Sequence, residues 1–473
     1  MALITMKFGG TSMGSGDAIS KVANIINSEL ANGHQIVACV SAMSGMTDML
    51  LNTARKAGEG DTIAHLTTIA EMRTRHHTAA RELVQEMQFL VPLLTDIDTL
   101  LNELSMLCHS LSILGEATPR AMDRVASFGE RLSARLLSGR LRETGHRSTA
   151  LDATDLILTD DNFMDASPLM SESRERIQAK VLPLVRAGEV PVITGFIGAT
   201  RGGQTTTLGR GGSDFSGAII GACVDTDELW IYTDVDGVMT TDPRIIPEAR
   251  VLPTLSYAEV GELAFFGAKV LHPKTVQPIV DRGVPLRVRN TFNPEHPGTL
   301  VQPASEIAPG VLKAVSIIKN VHILNVEGRG MVGVPGIAGR TFMAVARSQT
   351  SILMISQASS EQTITCVIPS KRSQHAIEAI KAELGEEIVR QNVERVYTVE
   401  DVVIVTAVGR GLRDQIGVAA RVLTAIAEAQ VNIIAMTQGS SECSISMVVS
   451  TADSGRAVAA LHALVLDSIA ETV

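Results

Sequence analysis

Short apolar runs alternate with longer stretches of helical periodicity through the amino-terminal part of the chain. Ala2 to Phe8 reads as a strand, and Gly9-Gly10-Thr11-Ser12 follows it. A helical pattern over Asp17 to Asn32 stops at Gly33. Ile36 to Val40 is a buried-type strand that ends in Ser41-Ala42-Met43-Ser44-Gly45. A strand, a loop, a helix and a second strand in this order predict a parallel sheet covered by helices. Residues Thr47 to Gly145 are mostly helical in pattern, with breaks near Gly58-Glu59-Gly60 and at Pro119. Strand signals return at Val190 to Ile197, Glu228 to Thr233 and Val284 to Arg289. Each ends in a polar or glycine-rich loop, where ligands bind in open α/β sheets.

The pattern changes after Asn293. Pro294, Pro297, Pro303 and Pro309 make the stretch from Asn293 to Gly310 the best linker candidate. Beyond it the chain repeats itself. Gly328-Arg329-Gly330 recurs as Gly409-Arg410-Gly411, and Ile355-Ser356-Gln357-Ala358-Ser359-Ser360-Glu361 as Met436-Thr437-Gln438-Gly439-Ser440-Ser441-Glu442, both at an offset of 81 residues. Two copies predict two similar small domains rather than a solenoid. Each reads strand, glycine-containing loop, helix, strand, Ser-Ser-Glu turn, strand. So short a turn joins antiparallel strands, and a ferredoxin-like βαββαβ unit fits.

With 473 residues, 45% of them apolar, the chain has material for several cores, and the 3% aromatic share leaves Leu, Ile, Val, Ala and Met to fill them. The net charge of −10 and the lack of a long basic run remove the footprint of a nucleic-acid binder. Mean hydropathy is +0.20, yet charges interrupt every apolar stretch before the roughly 20 residues of a membrane span. Lys7 and Gly9-Gly10 break the start of the chain as a signal peptide would not. Cys39, Cys108, Cys223, Cys366 and Cys443 lie far apart, with no zinc spacing, and read as buried thiols in a reducing cytosol. A cytoplasmic protein is expected.

The densest chemistry lies in Thr205-Thr206-Thr207-Leu208-Gly209-Arg210-Gly211-Gly212-Ser213-Asp214. Its glycines let the backbone approach a ligand, its N–H groups and hydroxyls can surround an anion, and Arg210 can grip a carboxylate or phosphate with two parallel hydrogen bonds. The apolar run Phe215 to Val224 predicts that this loop opens a helix, whose N-terminus also favours negative charge. Gly328-x-Gly330-x-x-Gly333 has the form of a dinucleotide fingerprint, but its repeat carries Asp414 in place of the third glycine and a hairpin follows in place of a crossover, so a dinucleotide site is rejected. No Walker-type run occurs.

Lys7-Phe8-Gly9-Gly10-Thr11-Ser12, Thr206 to Asp214, Thr240-Thr241-Asp242-Pro243-Arg244 and Phe266-Gly267-Ala268-Lys269-Val270-Leu271-His272-Pro273 together resemble aspartate kinase, of the amino-acid kinase family. The duplicated tail looks like the paired ACT domains of that enzyme. The resemblance implies an α/β fold, an open and mainly parallel sheet sandwiched by helices, followed by two ferredoxin-like α+β ACT domains. The expected division is a catalytic domain over 1–292, a linker over 293–313 and ACT domains over 314–392 and 393–473, with one ACT unit interrupted in sequence by the other in some relatives. It also implies phosphorylation of the side-chain carboxylate of L-aspartate by ATP with Mg²⁺, giving 4-phospho-L-aspartate, the first step toward lysine, threonine and methionine.

Carried over residue by residue, Lys7 is the phosphate clamp, and Gly9, Gly10 and Ser12 present donors to the phosphates. Arg210 holds the α-carboxylate of aspartate. Glu130, in Ser127-Phe128-Gly129-Glu130-Arg131, receives its amino group, unless it is a surface glutamate paired with Arg131 or Arg135. Ser41, Thr47 and Ser213 match positions near the substrate, with a turn or cap as the plain alternative for the first two. Asp214 orients Lys7 or a Mg²⁺-bound water, or else caps a helix. Thr233, Asp234, Met239, Arg244, Lys269 and Val270 match the nucleotide side, with Met239 standing where relatives often carry an aromatic residue. No metal ligands are assigned.

Gln357 and Gln438 occupy equivalent places in the two repeats and match effector positions for a feedback amino acid, threonine or lysine, with a purely structural hairpin role as the alternative. ACT pairing implies a homo-oligomer. The rival readings are another kinase of this fold, acting for instance on glutamate, and a non-catalytic ACT amino-acid sensor.

Overall fold

A computed structural model describes residues 1–267, 271, 273–303, 312–357, 362–412, 415–438 and 443–470. The chain forms two compact units, one from Met1–Val238, Val251–Tyr257 and Val270–Ala304, the other from Met239–Arg250, Ala258–Lys269 and Ser305–Val473. Among the described residues no helix is long and apolar enough to cross a membrane, and all five cysteines are buried.

The first unit contains β1 (Leu3–Phe8), β2 (Gln35–Val40), β3 (Ser148–Leu151), β4 (Val190–Thr194), β5 (Ile197–Ala199), β6 (Thr205–Thr207), β7 (Glu228–Thr233), β8 (Thr254–Ser256), β9 (Leu286–Asn290) and β10 (Thr299–Gln302). Eight of these make one sheet in the order β3-β4-β2-β1-β7-β9-β10-β8, and β5 and β6 form a separate hairpin. Neighbours run parallel except at β9/β10. The alternation expected of a half-turn per residue sorts the side chains. Ile4, Met6, Phe8, Ile36, Ala38 and Val40 join the core under the helices Gly16–Ala31, Met46–Gly58 and Phe128–Glu143. Val37, Cys39 and Ile193 enter the opposite core, under Met170–Arg186 and Gly212–Val224.

The single strand expected over Val190 to Ile197 divides at Phe196, whose backbone is left-handed at φ 65°. The helical region breaks at Gly60 and at Pro119 as its pattern predicts, and again at Val84–Glu86 and Ser127, which carry no glycine or proline. The stretch expected to be a linker, 293–313, holds β10 between β9 and β8. Prolines 297 and 303 flank that strand, where the missing N–H costs no ladder bond. The sheet of the first unit therefore extends past residue 292.

The second unit is built on β11 (Leu312–Glu327), β12 (Met354–Gln357), β13 (Thr363–Pro369), β14 (Arg395–Gly409), β15 (Ala435–Gln438) and β16 (Ser444–Ser450), in the antiparallel order β12-β13-β11-β14-β16-β15. The predicted hairpin in each repeat is present as β12/β13 and β15/β16. β11 and β14 run side by side over both repeats. The half of β11 after Val321 pairs with β13, and the half of β14 after Val402 pairs with β16. Both strands pass through a left-handed residue where these halves meet, Asn320 at φ 58° and Asp401 at φ 55°, again 81 positions apart. Leu312 to Ile318, ahead of that kink, pair with the half of β14 that serves the second repeat. The first repeat is thus inserted into the second.

Candidate active site

The ends of β1, β2, β4 and β6 and the starts of the helices Met46–Gly58, Phe128–Glu143 and Gly212–Val224 build a cleft of about 420 Å³ in the first unit, lined among others by Lys7, Ser41, Thr47, Glu130, Arg210 and Asp214. Lys7 is the penultimate residue of β1, so alternation sends it away from the Met6 and Phe8 side and toward the helix Gly212–Val224. That helix lies close because Gly217 faces the strand. A Cβ there would stand 3.0 Å from Lys7 Cβ and 3.2 Å from Cγ. The lysine stem is buried, 6% exposed, and its ammonium pairs with Asp214 in the first turn of the helix. Gly9 N–H donates to the Tyr232 carbonyl at 3.2 Å, which joins the ends of β1 and β7. Gly10 lines the cleft, and its carbonyl accepts from Ser44 Oγ at 2.9 Å.

Ser41 follows β2, and its N–H donates to Phe8 O at 3.0 Å. Thr47 lies in the first turn of Met46–Gly58, which starts at the left-handed Gly45. Glu130 reaches the cleft because Gly129 leaves room for Ala42, whose Cβ would lie 2.7 Å from a side chain at 129. Glu130 Oε1 accepts the Ala42 N–H at 3.2 Å, and the buried Oε2 has no hydrogen-bond partner among the described residues. Arg131 and Arg135 pair instead with Asp152. Burial pushes the Glu130 carboxyl up to about 8, against the smaller opposing pull of the Ala42 N–H, its own N–H and Lys7.

The run that opens the helix is held from behind. Thr206 Oγ1 shares a hydrogen with Thr159 at 2.7 Å. Thr207 donates its N–H and hydroxyl to Asp123, at 3.0 and 2.6 Å, and Asp123 also accepts the Met164 N–H at 2.9 Å. Gly209 and Gly211 are left-handed, φ 72° and 74°, and a Cβ on Gly209 would collide with the Asp165 carboxylate. Between them Arg210 is exposed and makes no ion pair among the described residues. Ser213 lines the cleft in the first helical turn.

Other expected positions lie elsewhere. Ser12 is fully buried and is not among the residues lining that cleft, and its hydroxyl bonds Thr291 Oγ1 at 2.7 Å, which ties the β1 loop to the end of β9. Thr233 ends β7 and its hydroxyl donates to Asp234 at 3.2 Å. Met239 and Arg244 belong to the second unit, where Arg244 is gripped by both oxygens of Asp242, at 2.9 and 2.6 Å. Lys269 and Val270 lie outside the described residues, as do both Ser-Ser-Glu turns. Gln357 and Gln438 are exposed at the ends of β12 and β15. Gln357 lines a cavity of about 240 Å³ with Met331, Val334, Ile337 and Ile364.

Sequence reasoning missed Asp123, Phe196 and Asp48. Phe196 covers Gly212, whose Cβ would lie 2.7 Å from the ring, and Asp48 lines the cleft beside Thr47. Asp123 sits between Met122 and Arg124 on an amphipathic helix and carries no local signal of its role. Among the described residues no three His, Cys, Asp or Glu side chains form a metal-binding group.

Comparison with known proteins gives the family of the chain. The model of the amino acid kinase family matches residues 2–290, and that of the ACT domain matches 324–384 and 405–464. The bifunctional aspartokinase/homoserine dehydrogenase 2 of Zea mays is 37% identical over 96% of this chain and 50% of its own length. The chain spans about half the length of the bifunctional plant relatives it matches. Aspartokinase 2 of Arabidopsis thaliana is 32% identical over 97% of this chain and 83% of its own. The crystal structure of E. coli aspartokinase III with aspartate and ADP superposes with a TM-score of 0.81 at 27% identity, covering 98% of this chain and 100% of that one. The same enzyme with lysine and aspartate gives 0.78 at 27%, covering 98% and 99%.

Proposed function

The chain belongs to the aspartokinases of the amino acid kinase family, and on that premise we propose that it transfers the γ-phosphoryl group of Mg·ATP to the side-chain carboxylate of L-aspartate. The observation that carries the proposal is the meeting of four ionisable side chains in one cleft: Lys7 paired with Asp214, the buried carboxyl of Glu130 with one oxygen unpartnered among the described residues, and Arg210, which makes no ion pair among them. An α-amino acid fits that set. Its ammonium meets Glu130 and its α-carboxylate meets Arg210 in a two-pronged hydrogen bond. Its side-chain carboxylate then points toward Lys7.

The acceptor is already ionised at neutral pH, so the chain has no proton to remove. A carboxylate oxygen attacks the γ-phosphorus, the bond to the bridging oxygen breaks, and ADP leaves with the electron pair. What remains for the protein is positioning and charge. Lys7 neutralises the equatorial oxygens in a buried setting, where such a contact counts for more than in water. Asp214 fixes the direction of the ammonium. Gly9 and Gly10 let the phosphates approach the backbone at the end of β1, and Thr233 and Asp234 border them at the end of β7. Met239, Arg244, Lys269 and Val270 complete the nucleotide side. A Mg²⁺ ion bound with the nucleotide would neutralise phosphate charge, and no side chain of this chain is assigned to it.

Gln357 and Gln438 bind a feedback amino acid, threonine or lysine, in a homo-oligomer joined through the ACT repeats. The cavity beside Gln357 supports this reading. Calorimetry on the full chain with each amino acid chooses between the two. For the reaction, ADP release is measured with aspartate and with glutamate side by side. Aspartate is expected to be turned over at least about 100-fold faster. Equal or greater turnover of glutamate overturns the assignment.

A further inference from the structure

We infer that His462, in the last helix Ser454–Ala470, is a positioning residue for the nucleotide side of the reaction and acts through Thr240. After β7 the chain passes into the second unit at Met239, and the segment to Arg250 is packed there. Thr240 is its fixed point, fully buried. Its N–H donates to Arg250 O at 2.8 Å, its carbonyl accepts the Val315 N–H of β11 at 2.7 Å, and its hydroxyl accepts the Arg250 N–H at 2.9 Å. The same hydroxyl lies 2.8 Å from His462 Nε2. Ile245 and Ile246 anchor the rest of the segment on a cluster that includes Val418, Val458 and Leu461.

Three of the four contacts at Thr240 use only its partners' backbone. His462 is the one that depends on a partner's side chain. It sits at 3% exposure on a helix face otherwise made of Ala457, Val458, Leu461 and Val465. A leucine would fill that space without the cost of burying a polar ring. What the imidazole adds is a grip on the Thr240 hydroxyl. Burial holds His462 below the usual histidine range, so the ring is neutral at neutral pH, with Glu248 and Arg250 acting on it in opposite directions. The grip fixes the turn that presents Met239 on one side and Asp242-Arg244 on the other. The inference rests on the reading that this segment contacts the nucleotide.

The test is steady-state kinetics on the full chain with ATP and aspartate varied separately. His462→Ala is expected to raise the KM for ATP about tenfold and to leave the KM for aspartate within about twofold. His462→Gln, whose amide nitrogen can stand where Nε2 stands, is expected to restore most of the loss. Thr240→Val is expected to reproduce the shift and to add little to His462→Ala. Arg244→Ala is run beside them. If Arg244→Ala raises the KM for ATP while His462→Ala leaves it unchanged, the positioning role is overturned and the nucleotide reading stands. If neither moves it, the reading of the segment falls and takes the inference with it. Should His462→Ala fail to fold, Thr240→Val decides, and an unchanged KM for ATP then overturns the role.

Discussion

The residues proposed for the two sides of the transfer are placed differently. Those proposed for the acceptor, Lys7, Ser41, Thr47, Glu130, Arg210, Ser213 and Asp214, all line one cleft of one unit. Each sits within a residue or two of a strand end or a helix start, so the sheet itself sets their spacing. Of the residues proposed for the nucleotide, Thr233 and Asp234 belong to the first unit and Met239 and Arg244 to the second. The acceptor site is made rigid by local packing: a glycine against a lysine stem, a glycine against Ala42, a carboxylate behind a threonine run. If both proposed assignments hold, substitutions in the cleft act on the amino acid, and substitutions at Met239 and Arg244 act on ATP.

Substitutions can break or sharpen this contrast. Lys7→Ala has the largest expected effect, a fall in kcat of about 10³-fold with the circular dichroism spectrum retained. Loss of fold in place of loss of rate would make Lys7 a packing residue. Arg210→Ala is expected to raise the KM for aspartate 10- to 100-fold, about 1.5–3 kcal/mol for hydrogen bonds to a charged group, and to leave the KM for ATP near its starting value. A shift in ATP would show that the two sides are not separate.

Glu130 supplies a pH signature. Its carboxyl is raised to about 8 by burial, so the free protein holds it protonated at neutral pH, and binding of an ammonium releases that proton. Affinity for aspartate then rises with pH, by up to about tenfold per unit, and levels off above the raised value. Glu130→Gln is expected to flatten the profile. An unchanged profile would place the amino group elsewhere. The smallest effect is Gly217→Ala. The new Cβ presses on Lys7 at 3.0 Å, while alanine favours the helix by about 1 kcal/mol. Melting temperature should move little, and kcat should fall several-fold. A variant with full activity would show that the lysine stem has room to give.

That Lys7, Glu130, Arg210 and Asp214 share one cleft was legible in the sequence because they stand among glycines and at the ends of strong apolar runs. Glu228 to Thr233 and the helix after Gly211 stand where their patterns place them. The inserted repeat was legible only as a duplication. That Leu312–Ile318 serve the second copy depends on pairing with residues about ninety positions away, which no local pattern reveals. Ser12 reads as a phosphate donor beside two glycines, and its hydroxyl is bonded to Thr291, a contact 279 positions away that no local pattern reveals. Asp123 shows the opposite case. It looks like a surface residue of an amphipathic helix and is buried because Thr207 and Met164 meet it from distant loops.

The most direct test of the account is chemical trapping of the product. The protein is incubated with Mg·ATP, aspartate and hydroxylamine, and the hydroxamate formed from the acyl phosphate is measured. The account predicts aspartyl hydroxamate in step with ADP, lost in Lys7→Ala and recovered at high aspartate in Arg210→Ala. ADP release without hydroxamate, or hydroxamate undiminished in Lys7→Ala, would contradict it.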